Sequence, residues 1–499
     1  MGIVKQQGVK NSIITYLSFG LGYINLILLY PNILTTGEFG LTRVLLTVAT
    51  LVAQFASLGD AGIMIRFFPY YRSNKDAKDY LFIAFLIPLV GFILCLGVSL
   101  IFQKTFFSSY YERSQLFGKY FFLVYPYAFF ILMTGIALNY SSVIQRLVVP
   151  NLLIQFGVKA GNTMAILLYY FKLISFNGFI GLFVFINGFI LLTVLWYLRS
   201  TGQFNFQFKL SNTTRRLIKP MINYGKFGIL AGSFSILLGY IDTVMLAGMS
   251  GLKETAIFTV GYYLATIISV PQVSMVQVLS PIISASMKNK DYEHIYDIYR
   301  KSALNQLIIG GVLFLLLWFN IDVFFKLLPN EYSAGKWVIL LICLAKLTDM
   351  ATGVNNEIIA YSRLYKFNFY NVIVVGSVAI IANYFLIKRF GYNGVAVSSL
   401  ITILFFNFNR FVFILKKLKM QPFSISSLKV LVILSVVFAS LSFLPKVHLS
   451  NEWGSLLLNS GIRTSIILII SYLFFIQGGI SPDMKDMSQK VMTRFGKNF

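Results

Sequence analysis

Long apolar runs alternate with short polar or basic stretches along nearly the whole chain. A helix rising 1.5 Å per residue needs roughly 20 mostly apolar residues to cross a hydrocarbon core about 30 Å thick. Fourteen windows approach or meet that measure: 12–33, 41–65, 80–102, 120–140, 150–170, 177–198, 224–248, 256–279, 305–325, 337–359, 367–387, 393–415, 428–444 and 462–477. The last two are the shortest. No connection exceeds about 25 residues, so no separate extramembrane catalytic domain fits. The first run continues to about Ile33 without a small-residue cleavage site, which predicts a retained span rather than a signal peptide. The pattern predicts an all-α polytopic membrane protein.

Composition strengthens that reading. The 499 residues are 57% hydrophobic and only 12% charged, whereas soluble domains are about 25% charged. The net charge of +25 could suggest nucleic acid. With the N-terminus inside, however, 26 Lys and Arg fall in inner segments and 10 in outer loops, a positive-inside bias that needs no nucleic acid. Both termini are therefore expected in the cytoplasm. Cys95 and Cys343 lie in apolar spans, and His294 and His448 have no ligand spacing around them. Neither a disulfide framework, a metal site nor a cofactor is indicated, and no Walker motif points to ATP hydrolysis.

The chain also repeats itself weakly. "EFGLT" at 38–42 echoes "TAIFT" at 255–259, an offset of 217, and "NKD" at 74–76 recurs at 289–291, an offset of 215. Lys172, Asn177 and Gly178 correspond to Lys388, Asn393 and Gly394 at 216. These offsets predict two pseudo-symmetric six-helix bundles, 1–205 and 224–420, joined by a cytoplasmic linker at 206–223. Residues 421–499 add two extra helices and a tail. Paired bundles of this kind serve alternating access, with substrate near the midplane.

Polar residues inside the spans fall on faces. In the second span Arg43, Thr47, Thr50, Gln54 and Ser57 follow spacings of 4, 3, 4 and 3, one side of a helix. The first span carries Ser18, Gly22, Asn25 and Asn32, the fifth Asn151, Gln155, Lys159 and Asn162, the tenth Lys346, Asp349, Gly353 and Glu357. Any one stripe could be helix packing glued by small polar groups. Several together, two of them carrying full charges, favour a hydrated cavity. Lys159 lies about 15 Å from one end of its span and Lys346 about 14 Å from the other end of its own. Facing lipid at that depth costs about 3 kcal/mol; a cavity wall removes most of that cost. Lys159, Lys346 and Arg43 are the candidate anion-binding cations; Asn25, Thr47, Thr50, Gln54, Gln155 and Asn162 are the candidate polar lining, to which the family resemblance given below assigns sugar hydroxyls. Asp349, three residues from Lys346, is a candidate structural partner for it. Asp60, Asp242, Asp349 and Glu357 are candidates for ion coupling or local pairing. Arg410 and Lys226, near span ends, are expected to snorkel, and snorkelling is the alternative for Arg43, a few residues from the expected outer end of its span.

Three stretches carry a family resemblance. "LGDAGIMIRFFPYYRSNKD" at 58–76 resembles the end of the second span in polysaccharide flippases, and "GYIDTVMLAGMSGLKETAIFTVGYYLATIISVP" at 239–271 resembles their seventh and eighth spans. "GYNGVAVSSLIT" at 391–402 looks like the start of their twelfth. Asp60 departs from the pattern, which has an apolar residue there. The resemblance is to the Wzx-like O-antigen or capsule branch of the multidrug/oligosaccharidyl-lipid/polysaccharide (MOP) exporters. It implies a MATE-like fold. It also implies transport, rather than catalysis, of undecaprenyl-pyrophosphate-linked oligosaccharide across a bacterial cytoplasmic membrane. Its implied partners are that substrate, membrane lipid, a proton or sodium gradient, and polysaccharide assembly proteins. Rivals are a multidrug/cation antiporter of the same fold, a peptidoglycan-precursor flippase and, from another class, a membrane glycosyltransferase or polymerase.

Overall fold

The computed structural model describes residues 14–72, 79–101, 114–202, 208 and 210–483, with the side chains of 72, 226–232 and 235 set aside. Among the described residues every regular element is helical. The helices are α1 (Ile14–Ile33), α2 (Thr36–Ala56), α3 (Asp60–Arg72), α4 (Tyr80–Ile101), α5 (Gln115–Val143), α6 (Val148–Tyr170), α7 (Phe176–Ser200) and α8 (Asn212–Ser250). There follow α9 (Leu252–Asn289), α10 (Tyr292–Phe319), α11 (Ile321–Lys326), α12 (Lys336–Ala351), α13 (Asn355–Tyr361), α14 (Lys366–Leu418), α15 (Ile425–Ser442) and α16 (Glu452–Gln477).

Among the described residues, eleven helices are long and apolar enough to cross a membrane, and the bent pair α12–α13 makes a twelfth. Helix α14 reverses at Gly391 (φ 54°, ψ −132°) and so contains two of the expected spans. Helix α8 carries the apolar segment Ile236–Ser250. The architecture is consistent with the fourteen windows. Several boundaries differ, three of them for reasons of turn or cap chemistry. The second window breaks at Leu58 and Gly59, both left-handed (φ 48° and 77°), so Asp60 begins a new helix. The fourteenth starts ten residues earlier, at Glu452, because Asn451 caps it by accepting from Trp453 N at 3.0 Å. The stretch read as a linker is helical from Asn212 onward, capped by Ser211.

The same chemistry sets the other turns. Thr35 and Glu38 form a reciprocal capping box, Thr35 N donating to Glu38 Oε2 at 2.9 Å and Glu38 N to Thr35 Oγ1 at 3.3 Å. This satisfies two otherwise orphaned N–H groups and allows the two-residue connection between α1 and α2. Ser175 and Asp291 cap α7 and α10 more simply, each side chain accepting one backbone N–H, from Gly178 and His294.

The chain divides by contacts into two compact units, up to Thr259 and from Val260. The first has a core of residues such as Met64, Phe67, Tyr71, Tyr80, Tyr140 and Met221. The second has one around Ile283, Ile295, Tyr299, Val354, Ile358 and Ile414. Helix α8 packs on α2 and α3. The contact division therefore falls after the seventh span, whereas the repeat puts its seam before it. Large apolar side chains such as Trp196 and Phe443 are exposed, at 72% and 87%, as a lipid-facing surface requires.

Candidate functional site

In the first unit α1 and α6 meet through a polar node. Lys159 Nζ donates to the Ser18 carbonyl at 2.8 Å and stands 5.4 Å from the Phe19 ring centroid. Asn25 Nδ2 donates to the Lys159 carbonyl at 3.1 Å, and Thr163 Oγ1 donates to Asn25 Oδ1 at 2.8 Å. Gly22 makes room: a Cβ there would lie 3.2 Å from Lys159 Nζ. Both helices contain a π-helical segment at this level, Ile24–Leu29 in α1 and Leu152–Gly157 in α6. Such segments loosen the regular backbone bonding and recur at functional sites. The stripes read on the first and fifth spans are thus brought together at Ser18, Gly22, Asn25 and Lys159. Among the described residues no carboxylate lies within ion-pair distance of Lys159.

The remaining stripe residues separate. Arg43 is 8% exposed and sits against aromatic rings, 5.9 Å from the Tyr30 centroid and 5.8 Å from that of Phe39. Thr47 is buried, and Thr50 bonds its own helix at Leu46 O. Gln54 is half-buried. Gln155 Nε2 donates to Asn151 Oδ1 at 2.7 Å, joining two expected sugar-facing or packing groups to each other. Asn162 is buried with no partner for Oδ1 among the described groups. Asp60, 2% exposed at the start of α3, likewise leaves Oδ2 unpartnered. Asp242 is half-buried on α8.

In the second unit the polar residues form a network that the spacing only half revealed. Asp349 accepts from Asn407 Nδ2 at 3.0 Å on one oxygen and from Gln272 Nε2 at 3.2 Å on the other. Lys346 Nζ lies 5.7 Å from the Tyr262 ring centroid. The stripe does not continue to Glu357. The tenth span breaks at Gly353 (φ +61°) and bends by 50°. A Cβ on Gly353 would also lie 2.8 Å from Ser302 Oγ, so the break closes tightly onto α10. Glu357 instead accepts from Asn356 Nδ2 at 3.0 Å. Arg410 does not snorkel. It is 8% exposed, stacked 3.7 Å over the Phe406 ring, and donates from Nη2 to Asn356 Oδ1 at 2.8 Å. An aromatic face and an amide oxygen on neighbouring turns and helices outcompete the interface for the guanidinium. The side chain of Lys226 lies outside the described residues.

The asparagines were the signal that sequence reading passed over. Asn355, Asn356, Asn368, Asn371, Asn407 and Asn409 bond one another or the break in pairs. Three bonded pairs of them within one unit mark a shared polar cluster around the break.

Comparison with known proteins agrees with the architecture. A family profile described as polysaccharide biosynthesis protein matches residues 4–287. The structure of the lipid II flippase MurJ in an inward closed conformation superposes with a TM-score of 0.70 at 15% identity, covering 94% of this chain and 99% of that one. An inward-facing multidrug resistance MATE family transporter of the MOP superfamily gives 0.56 at 15% identity, covering 80% and 93%. The Vibrio cholerae MATE transporter VcmN gives 0.51 at 11% identity, covering 84% and 98%. At such identities these likenesses concern the fold. No curated protein matches the chain.

Proposed function

Because the chain belongs to the polysaccharide biosynthesis protein family, we propose that it is a flippase that moves undecaprenyl-pyrophosphate-linked oligosaccharide units across the bacterial cytoplasmic membrane. The polytopic fold, shared with a lipid flippase and with MATE transporters, supports the transport reading. Alternating access is the motion such a fold serves. The product would feed O-antigen or capsule assembly, and both termini would be cytoplasmic.

The observation that carries this reading is Lys159. A half-buried ammonium near mid-span, held by a backbone carbonyl with no described acid beside it, keeps a net positive charge available to a diphosphate. Asn25 and Thr163 beside it suit sugar or phosphate oxygens. Lys346 would play the matching part in the second unit. Arg43, packed on its rings, would engage an anion only after it is released from them. Asp349 and Glu357, each bound by amide donors, serve structure in this reading. Asp60 and Asp242 are the candidates for ion coupling in this reading.

The test is genetic and direct. Lys159→Ala should lower surface polysaccharide more than tenfold while the protein stays abundant in the membrane, and Lys159→Arg should retain part of it. Normal surface polymer in the alanine variant would remove the residue from the mechanism. If loss of the protein instead raised sensitivity to cationic drugs and left the polymer intact, the antiporter reading would replace this one.

A further inference from the structure

Beside the Lys159 node, α1 and α6 border an apolar groove of about 510 Å³. Leu21 walls it from α1; Phe156, Ala160, Met164 and Leu167 wall it from α6, and Phe171 stands at its far end. Thr163 is the one polar side chain that lines it among the described residues, and the same Thr163 bonds Asn25 in the node. The groove and the cationic node therefore share a wall. From Phe156 to Phe171 the helix rises about 22 Å, so the groove runs from the middle of the span to its end. Met164 and Phe171 are each 66% exposed, so the groove is open on this side.

The other sides of α6 are occupied. Towards α7 the fit is close: a Cβ on Gly161 would lie 2.8 Å from Ile186, and one on Gly157 would lie 3.1 Å from Ile190. Towards α1 the polar contacts of Lys159 and Thr163 fill the seam. The concave third side is the exception on a helix otherwise seated by its neighbours.

We propose that this groove seats the isoprenoid chain of the lipid-linked substrate, with the diphosphate that heads the chain meeting Lys159. The proposal rests on the flippase reading and adds to it a place for the tail. Charge selects this occupant over an ordinary phospholipid. A phospholipid keeps its phosphate at the interface, roughly half a 30 Å core away from mid-depth, and has no use for an ammonium there. A substrate whose anionic head travels through the middle of the membrane does. The groove supplies the apolar contact for the chain exactly where the helix supplies a cation for its head.

The test uses the full chain in nanodiscs of phosphatidylethanolamine and phosphatidylglycerol. The photoreactive residue benzoylphenylalanine is placed at Met164, and as a control at Trp196, the exposed position on α7. The probe is undecaprenyl diphosphate carrying one N-acetylhexosamine. Crosslinking to the probe should be at least fivefold stronger from Met164 than from Trp196, and Lys159→Ala should reduce it at least fivefold. Ala160→Trp, which fills the groove and leaves Lys159 in place, should lower probe translocation in vesicles to a similar degree. Equal crosslinking from both positions, or capture of phosphatidylglycerol alone at Met164, would overturn the proposal. If the unmodified protein still translocates the probe under that result, the groove assignment fails and the flippase reading stands. If the unmodified protein neither binds nor translocates it, both fail.

Discussion

Every hydrogen-bonding position of the Asn407 amide is filled. Its Nδ2 donates to Asp349 Oδ1 and to the Ile403 carbonyl, and its Oδ1 accepts from Thr352 Oγ1 and Asn355 Nδ2, all at 3.0 to 3.1 Å. One side chain thus ties α12, the break after it and α14 together. Asn407→Leu keeps the volume and strands one Asp349 oxygen and the Asn355 amide, while the Thr352 hydroxyl keeps the Asp349 carbonyl at 2.8 Å; unpaired buried groups cost about 1–3 kcal/mol each, more when charged. The variant should lose on the order of 3 kcal/mol or more, read as a lowered thermal midpoint in detergent, and an unchanged midpoint would refute the network's role. Asp79, in the connection before α4, gives a second case. Burial pushes its carboxyl up, but hydrogen bonds from the Thr214 hydroxyl and the Ser211 N–H outweigh burial and hold it below the ordinary carboxylate range. Its contribution is present above the unfolded value of about 3.9 and is lost as pH falls through the depressed folded value. Asp79→Asn should therefore lower the midpoint at pH 7, and its gap to the unmodified protein should close below about pH 4. Lys159 was legible in the sequence because depth and helical spacing lie on one chain segment. Arg410 was not, since its burial depends on Phe406 and Asn356, and a residue near a span end reads the same whether it reaches water or a neighbouring helix.

At the scale of elements, the breaks matter more than the spans. Helix α14 reverses where Gly391 takes a conformation closed to side chains and Gly394 meets the chain it has just left. A Cβ on Gly394 would lie 2.1 Å from the Leu386 carbonyl oxygen, and that contact is with backbone, which cannot swing away. Gly394→Ala should sharply reduce folded protein in the membrane. Gly461→Ala, within α16 and with nothing near the added methyl, should be neutral or stabilise by about 0.5–1 kcal/mol, the helix preference of Ala over Gly. Equal abundance of the two variants would mean that the reversal tolerates a side chain. This break was visible in "GYNG" following Lys388 and Arg389, where polar and flexible residues coincide. The break at Gly353 was hidden, because apolar residues continue on both sides and a periodic stripe runs through it. Only contact with Ser302 and Asn407 shows why the helix bends there.

For the whole molecule, orientation is the property that every other inference inherits. Connections are short, so each helix that crosses reverses the side of all that follow, and one miscounted span would exchange inside for outside along the remainder of the chain. The bias of 26 Lys and Arg against 10 acts against such an error, since basic loops resist translocation. The loops of the second unit that this bias would place outside hold their basic residues differently: Asp322 bridges Lys336 at 3.6 Å and Lys446 at 3.2 Å, and Lys326 meets Glu452 at 2.6 Å. Acids accompany the cations on that side, whereas Lys416, Lys417 and Lys419 at the end of α14 stand together without an intervening acid in sequence. A reporter inserted after Gln421, between α14 and α15, should therefore be active only in its cytoplasmic form. The same reporter after Ser450, between α15 and α16, should be active only in its exported form. Exchange of the two results would mean that an odd number of spans precedes α15, and the depth of Lys159 would then be measured from the wrong face. Activity on the same side for both would mean that α15 does not cross, and the fold would close with fewer spans than the apolar pattern predicts.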